Sequence, residues 1–159
     1  MRRLWECDDW SRYLDLSCRH GLRLRFDAGV DPEVHRACLE FGAWLRREYE
    51  FPMRVPIYFK NKKYLISATG ERASATFWGS FDKTLEPHIR IAVDDYEDIL
   101  ESFGKDNALA AILGSMAHEL SHYFQWIKDL DMMDAKMERQ AKYYSDVIVW
   151  DYAETREHP

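Results

Sequence analysis

Apolar and polar positions change period several times along the chain, and each change marks an element. Leu22, Leu24 and Phe26 alternate with Arg23, Arg25 and Asp27, the pattern of a short half-buried strand. At Asp31 the period becomes helical: Val34, Cys38, Phe41, Leu45 and Tyr49 recur at three- and four-residue spacing. Asp31 can cap free backbone N–H groups, Pro32 suits the first helical position, and Pro52 closes the segment. Apart from the 22–26 alternation, residues 1–30 carry little readable pattern.

Three strands are expected next, at residues 55–59, 73–78 and 88–93, with turns at 60–63 and 81–86. A short helix over 94–103 ends at Gly104. A longer one spans about 107–128, and an Asp-rich break at 129–134 leads to a last helix over about 135–152. Helix, then strands, then helices predicts an α+β fold in a single domain, 1–159, with a short and mostly antiparallel sheet.

Composition narrows the class. With 159 residues the chain has the length of one ordinary domain, and 47% hydrophobic and 14% aromatic residues supply a sizeable core. Lys and Arg number 22 against 28 Asp and Glu, a net charge of −6. That excess argues against nucleic acid as the expected partner, although a small local basic patch stays compatible with it. No apolar run approaches the length of a bilayer span, and Met1–Asp9 turns acidic early, so a cytoplasmic protein without a membrane segment is expected. Cys7, Cys18 and Cys38 are odd in number and form no CxxC pair, so reduced thiols are expected. Cys18-Arg19-His20 is half of a metal site with no evident second half.

The chemistry sits in the long helix as His118-Glu119-Leu120-Ser121-His122. Histidines four apart on a helix share one face and can grip one metal ion, and the glutamate after the first can act as base toward an activated water. At ~100° per residue, His122 falls about 40° from His118, with Ala111, Gly114 and Ser115 within about 60°. Leu109, Leu113, Met116, Leu120, Tyr123 and Ile127 form the opposite stripe, so the histidines are expected off the core side.

A catalytic zinc has three protein ligands and one open position. The HExxHxxGxxH form is excluded by Gln125 and Lys128, and no histidine follows until His158. A carboxylate from the last helix or the preceding break is therefore expected. Glu138 stands first, at the edge of an apolar stripe of Met137, Ala141, Tyr144 and Ile148; Asp134, Asp129 and Asp131 compete with it.

With these residues the chain resembles the gluzincins, zinc peptidases that pair HExxH with a downstream Glu. Glu138-Arg139-Gln140-Ala141 after the HExxH is also similar to the compact ImmA/IrrE-type metallopeptidases, in which a Glu-x-x-Ala helix supplies the third zinc ligand. The match covers about residues 107–152. Thermolysin-like enzymes have Asp four residues after the ligand Glu, where this chain has Lys142; SprT-type proteases take a third histidine that is not found here. The resemblance implies a zincin-like peptidase acting on a protein or peptide substrate, with zinc on His118, His122 and Glu138 and Glu119 as base. Tyr143, Tyr144 and His88 are candidate oxyanion donors, and Asp146 a candidate for orienting a ligand histidine. An exposed strand, 73–78 or 88–93, could hold an extended peptide by edge pairing. Tyr123, Phe124, Trp126 and Trp150 are expected in the core or on a partner surface rather than in a substrate pocket. Oligomeric state is silent.

Overall fold

Two parallel strands joined by a helix begin the sheet. The structure, a computed structural model, describes residues 3–15 and 17–159. After a 3-10 turn (Trp10–Arg12) come β1 (Leu22–Phe26), α1 (Pro32–Glu48) and β2 (Val55–Lys60). A short hairpin of β3 (Leu65–Ile66) and β4 (Arg72–Ala73) follows, then β5 (Ala75–Trp78) and β6 (His88–Ala92). The chain finishes with α2 (Tyr96–Phe103), α3 (Lys105–Ile127) and α4 (Asp134–Ala153). This is a mixed α+β architecture of four α-helices and a small sheet.

The main sheet has the order β1-β2-β6-β5. β1 runs parallel to β2 from Leu22↔Val55 to Phe26↔Phe59, and β2 runs parallel to β6. Only β5 is antiparallel, against β6. The expected mostly antiparallel sheet is thus corrected to a mostly parallel one. Two long connections make this possible, α1 between β1 and β2 and residues 61–87 between β2 and β6; alternation of side chains reports a strand but not its direction. The single strand expected at 73–78 is also two. Ala73 pairs with Leu65, the chain turns at Ser74, and Ala75 pairs with Ile91.

Helix α1 starts where the sequence expects it. The Asp31 carboxylate accepts from the Glu33 N–H at 2.8 Å, and Pro32 takes the first turn. Its buried residues Val34, Cys38, Phe41 and Leu45 join Leu22, Leu24, Val55, Ile57, Phe59, Ile89 and Ile91 of the sheet and the stripe Leu109, Leu113, Met116, Leu120 of α3. Tyr123 and Phe124 also lie in this core, as expected.

The unpatterned N-terminal segment packs on the back of α3. Leu4, Trp5, Trp10 and Leu14 are buried. Trp5 Nε1 donates to Ser121 Oγ at 3.0 Å, inside the HExxH segment, and the Trp5 ring lies 5.0 Å from that of Phe124. Lys128 Nζ donates to the carbonyls of Arg3 and Glu6. So α3 is held from the sheet side and from behind, which fixes the rotation of its histidine face. Among the described residues no helix is long and apolar enough to cross a membrane.

Candidate metal centre

Helix α4 folds back along α3 and sets Glu138, in its second turn, opposite His118 and His122. The two imidazole rings lie one helical turn apart, with centroids 4.9 Å apart and planes at 79°. His118 Nε2 is 3.0 Å from Glu138 Oε2, and His122 Nε2 is 3.0 Å from Glu138 Oε1. One ligand atom from each of the three residues falls within 4.8 Å of the others, the one such group among the described residues.

Hydrogen bonding around His122 tests whether a cation belongs there. Gln125 is 1% exposed. Its Nε2 donates to the Met137 carbonyl at 3.0 Å and to Gln140 Oε1 at 2.9 Å. A carbonyl only accepts, so the amide orientation is fixed and Gln125 Oε1 must face His122 Nδ1, 2.7 Å away. Nδ1 therefore carries the proton, and the Nε2 lone pair of a neutral His122 faces a carboxylate oxygen. Two lone pairs at 3.0 Å repel unless a second proton or a metal cation lies between them. Burial holds His118 below its ordinary value, and charge on His122 pushes it lower, so protonating both rings is disfavoured. Two imidazole nitrogens and a carboxylate are a donor set suited to zinc. The residues fit the ion.

Gln125 was not singled out from the sequence. The signal was its place three residues after His122 on one helix face, where side chains meet. Replacing it with Leu, of similar size, removes the partner that fixes the His122 tautomer. Zinc affinity is expected to fall roughly 10–100-fold, read by competition with a chromophoric chelator. An unchanged affinity would show that the tautomer is set by other means.

Glu119 is 7% exposed, and its carboxyl is pushed up to about 8, first by burial and then by the charge of Glu138. A raised acid in the folded state stabilises below the unfolded value near 4.5 and loses that contribution as pH rises through about 8. Metal-free protein should therefore lose more Tm between pH 5 and 8 than its Glu119→Gln variant does. Parallel Tm curves for the two would contradict the burial of a carboxylate here.

The site opens on a cleft of about 850 Å³, lined by His118, Glu119, His122 and Glu138 together with β5, Trp126, Leu130 and Met137. Ser67, Ala68 and Thr69, at the tip of the β3–β4 hairpin, form part of the rim. A second groove of about 710 Å³ shares Ala75, His118 and Glu119, and runs along Ala111, Gly114 and Ser115 between α3 and α4.

No family model, curated protein or solved structure matches this chain.

The remaining expected residues scatter. Asp129 and Asp131 line the main cleft, and Asp129 pairs with Lys83. Asp134 is exposed in the first turn of α4 and lines neither groove. Tyr143 and Tyr144 meet edge to face, 5.2 Å apart, and neither lines the cleft; both point off the Glu138 face of α4. His88 pairs with Trp78, the residue after cleft-lining Phe77, and stacks on its ring at 5.2 Å. None of the three lines either groove. Asp146 pairs with Lys142 at 2.8 Å instead of a ligand histidine; Gln125 holds His122. Cys18 donates to the Pro52 carbonyl and joins no ligand group. Of the later aromatics, Trp126 does line the cleft, held by an Nε1 bond to the Ser80 carbonyl at 2.8 Å, while Trp150 is 67% exposed on α4 and lines the second groove.

β5 is an edge strand and β6 is paired on both sides, so of the two expected peptide-binding strands only β5 has a free edge. The Ala92 N–H donates to the Ser74 carbonyl. Hydrogen-bonded pairs alternate in an antiparallel ladder, so Thr76 and Trp78 also face β6. The backbone groups of Ala75 and Phe77 face outward, toward the cleft that both residues line.

Proposed function

We propose that this chain is a zinc metallopeptidase with a zincin-like fold, similar in plan to the gluzincins, acting on a protein or peptide substrate. The observation that carries it is the convergence of His118 Nε2, His122 Nε2 and the Glu138 carboxylate beside the buried Glu119.

When bound there, zinc supplies Lewis acidity: it polarises a substrate carbonyl and lowers the pKa of a water toward ~7. The chain does the rest. His118, His122 and Glu138 hold the ion, and Gln125 keeps the His122 Nε2 lone pair turned toward it. Glu119 takes the proton of the attacking water and passes it to the leaving amine. An extended peptide pairs with the outward N–H and C=O groups of Ala75 and Phe77. Its flanking residues then lie in the two grooves on either side of Glu119.

The placement of Tyr143, Tyr144 and His88 away from the cleft favours a second reading, a zinc-holding binding module that captures a peptide without cutting it. One experiment separates the two. The full chain is stripped with a chelator, reloaded with one equivalent of zinc, and offered fluorescent casein and a peptide library. Cleavage that disappears on stripping and returns with zinc supports the peptidase. Zinc binding with no cleavage of either substrate supports the module.

A further inference from the structure

The sheet is covered by helices on one side only. Its inner face carries Leu22, Leu24, Val55, Ile57, Phe59, Ile89 and Ile91. On the other face the register aligns two rows of side chains across the strands. One row is Arg25–Tyr58–Arg90–Thr76. The other, two residues back along β1, is Arg23–Pro56–His88–Trp78. None of these four strands contains an acidic residue, although the whole chain has an acid excess.

The cations of these rows lack carboxylate partners. Arg23, Arg25 and Arg90 form no ion pair among the described residues; Arg23 donates to the Leu22 carbonyl and Arg25 to the Leu24 carbonyl. Arg46, at the β1 edge, donates to the same Leu22 oxygen as Arg23. Burial, and next the neighbouring Arg23 charge, lower its pKa. The acids that flank the rows are already taken, Glu86 by Arg19 and Arg54 and Asp27 by Lys60, and Arg23 and Arg46 border a pocket with Asp8, Asp9 and Glu50, so the cations in the middle of the face, Arg25 and Arg90, are the ones without a carboxylate partner among the described residues. Two exposed rings share the face, Tyr58 between Arg25 and Arg90 and Trp78 at the β5 edge. Trp78 is 46% and Tyr58 39% exposed. The Trp78 ring stacks on His88 at 19°, and Tyr58 meets His88 edge-on at 6.3 Å.

We propose that this face binds single-stranded nucleic acid, with Arg23, Arg25 and Arg90 on phosphates and Tyr58 and Trp78 under unpaired bases. The arginines alone would suit any polyanion. The rings beside them decide, because a flat exposed aromatic rewards a stacked base and gives nothing to a chain of carboxylates. They also select single strands, since the bases of a duplex are already stacked on each other. The inference does not depend on the peptidase reading: none of these residues except Thr76 lines the main cleft.

Fluorescence anisotropy tests it, using the full chain and fluorescein-labelled oligo(dT) and oligo(rU) of about 12 nucleotides. Binding should be measurable at about 50 mM salt and weaken steeply by about 200 mM. The double variant R25E/R90E should bind about tenfold more weakly or worse, with a log–log salt slope reduced by about two. W78L should lose the quenching of tryptophan fluorescence that accompanies binding. Circular dichroism and zinc stoichiometry should match the parent for both variants, which separates a lost surface from a lost fold. Absence of binding at low salt overturns the proposal, as does full affinity in R25E/R90E. Equal competition by poly-glutamate would overturn it in favour of an acidic protein partner, and equal affinity for a duplex would remove the single-strand assignment.

Discussion

Glu119→Gln should abolish most hydrolysis and leave zinc bound at one equivalent. The amide keeps the size and shape of a side chain that is 7% exposed, so the fold and the ligand set are undisturbed. What disappears is the base. Turnover should fall by roughly 10²–10⁴-fold, the usual contribution of a positioned general base. KM should change little, because Glu119 is not asked to hold the peptide. Two outcomes would count against this account. If Glu119→Gln cleaves as fast as the parent, proton transfer runs through another group. If it loses zinc, Glu119 is a ligand and Glu138 is not the third one.

Glu138→Ala should release the metal. Among the described residues Glu138 is the one carboxylate within reach of both imidazole Nε2 atoms, bridging them with its two oxygens. Its side chain is 62% exposed, and α4 is anchored elsewhere, through Ala141, Ser145, Ile148 and Tyr152. Stability should therefore change by no more than about 0.5 kcal/mol, as for other surface substitutions. Zinc affinity should drop by more than the roughly 10–100-fold that loss of a hydrogen-bond partner to a ligand costs. Unchanged zinc affinity would move the third ligand to Asp129 or Asp131, which line the same cleft. Ala substitution at each would then identify it.

Local chemistry was legible in the sequence where one helix carries it. His118 and His122 share a face by helical period alone, with Glu119 beside the first, and Glu138 stood first among four carboxylates, ahead of Asp134, Asp129 and Asp131. The cap at Asp31 and the stop at Gly104 were equally local. What stayed hidden depends on distant partners. Strand direction is set by which segment crosses over, and α1 was placed correctly while its role as a crossover between β1 and β2 was not read. Trp5 gave no periodic signal because its partner, Ser121, lies 116 residues away. Gln125 looked like a departure from a longer histidine motif, and its function becomes visible only when α4 brings Met137 and Gln140 to it. Asp146, Tyr143 and Tyr144 find partners that sequence could not show either, Asp146 on Lys142 and the two tyrosines on each other. The helix keeps the two tyrosines out of both grooves, while Asp146 lies on the second groove with His118 and Glu119.

The rows of arginines and rings on the open sheet face illustrate the opposite case. β1 showed two arginines, β2 one lysine, β6 one arginine and β5 no cation, too few in any one strand to stand out. Register across four strands aligns them, and net charge conceals them because the acids lie on other elements.

The most direct test of the metal centre is a zinc-edge anomalous difference map from crystals of the zinc-loaded chain. One peak is expected, about 2.0–2.2 Å from His118 Nε2, His122 Nε2 and a Glu138 oxygen, with Glu119 beside it and not bonded to it. A map with no peak between α3 and α4, or a peak held by Asp129 or Asp131 in place of Glu138, would contradict it.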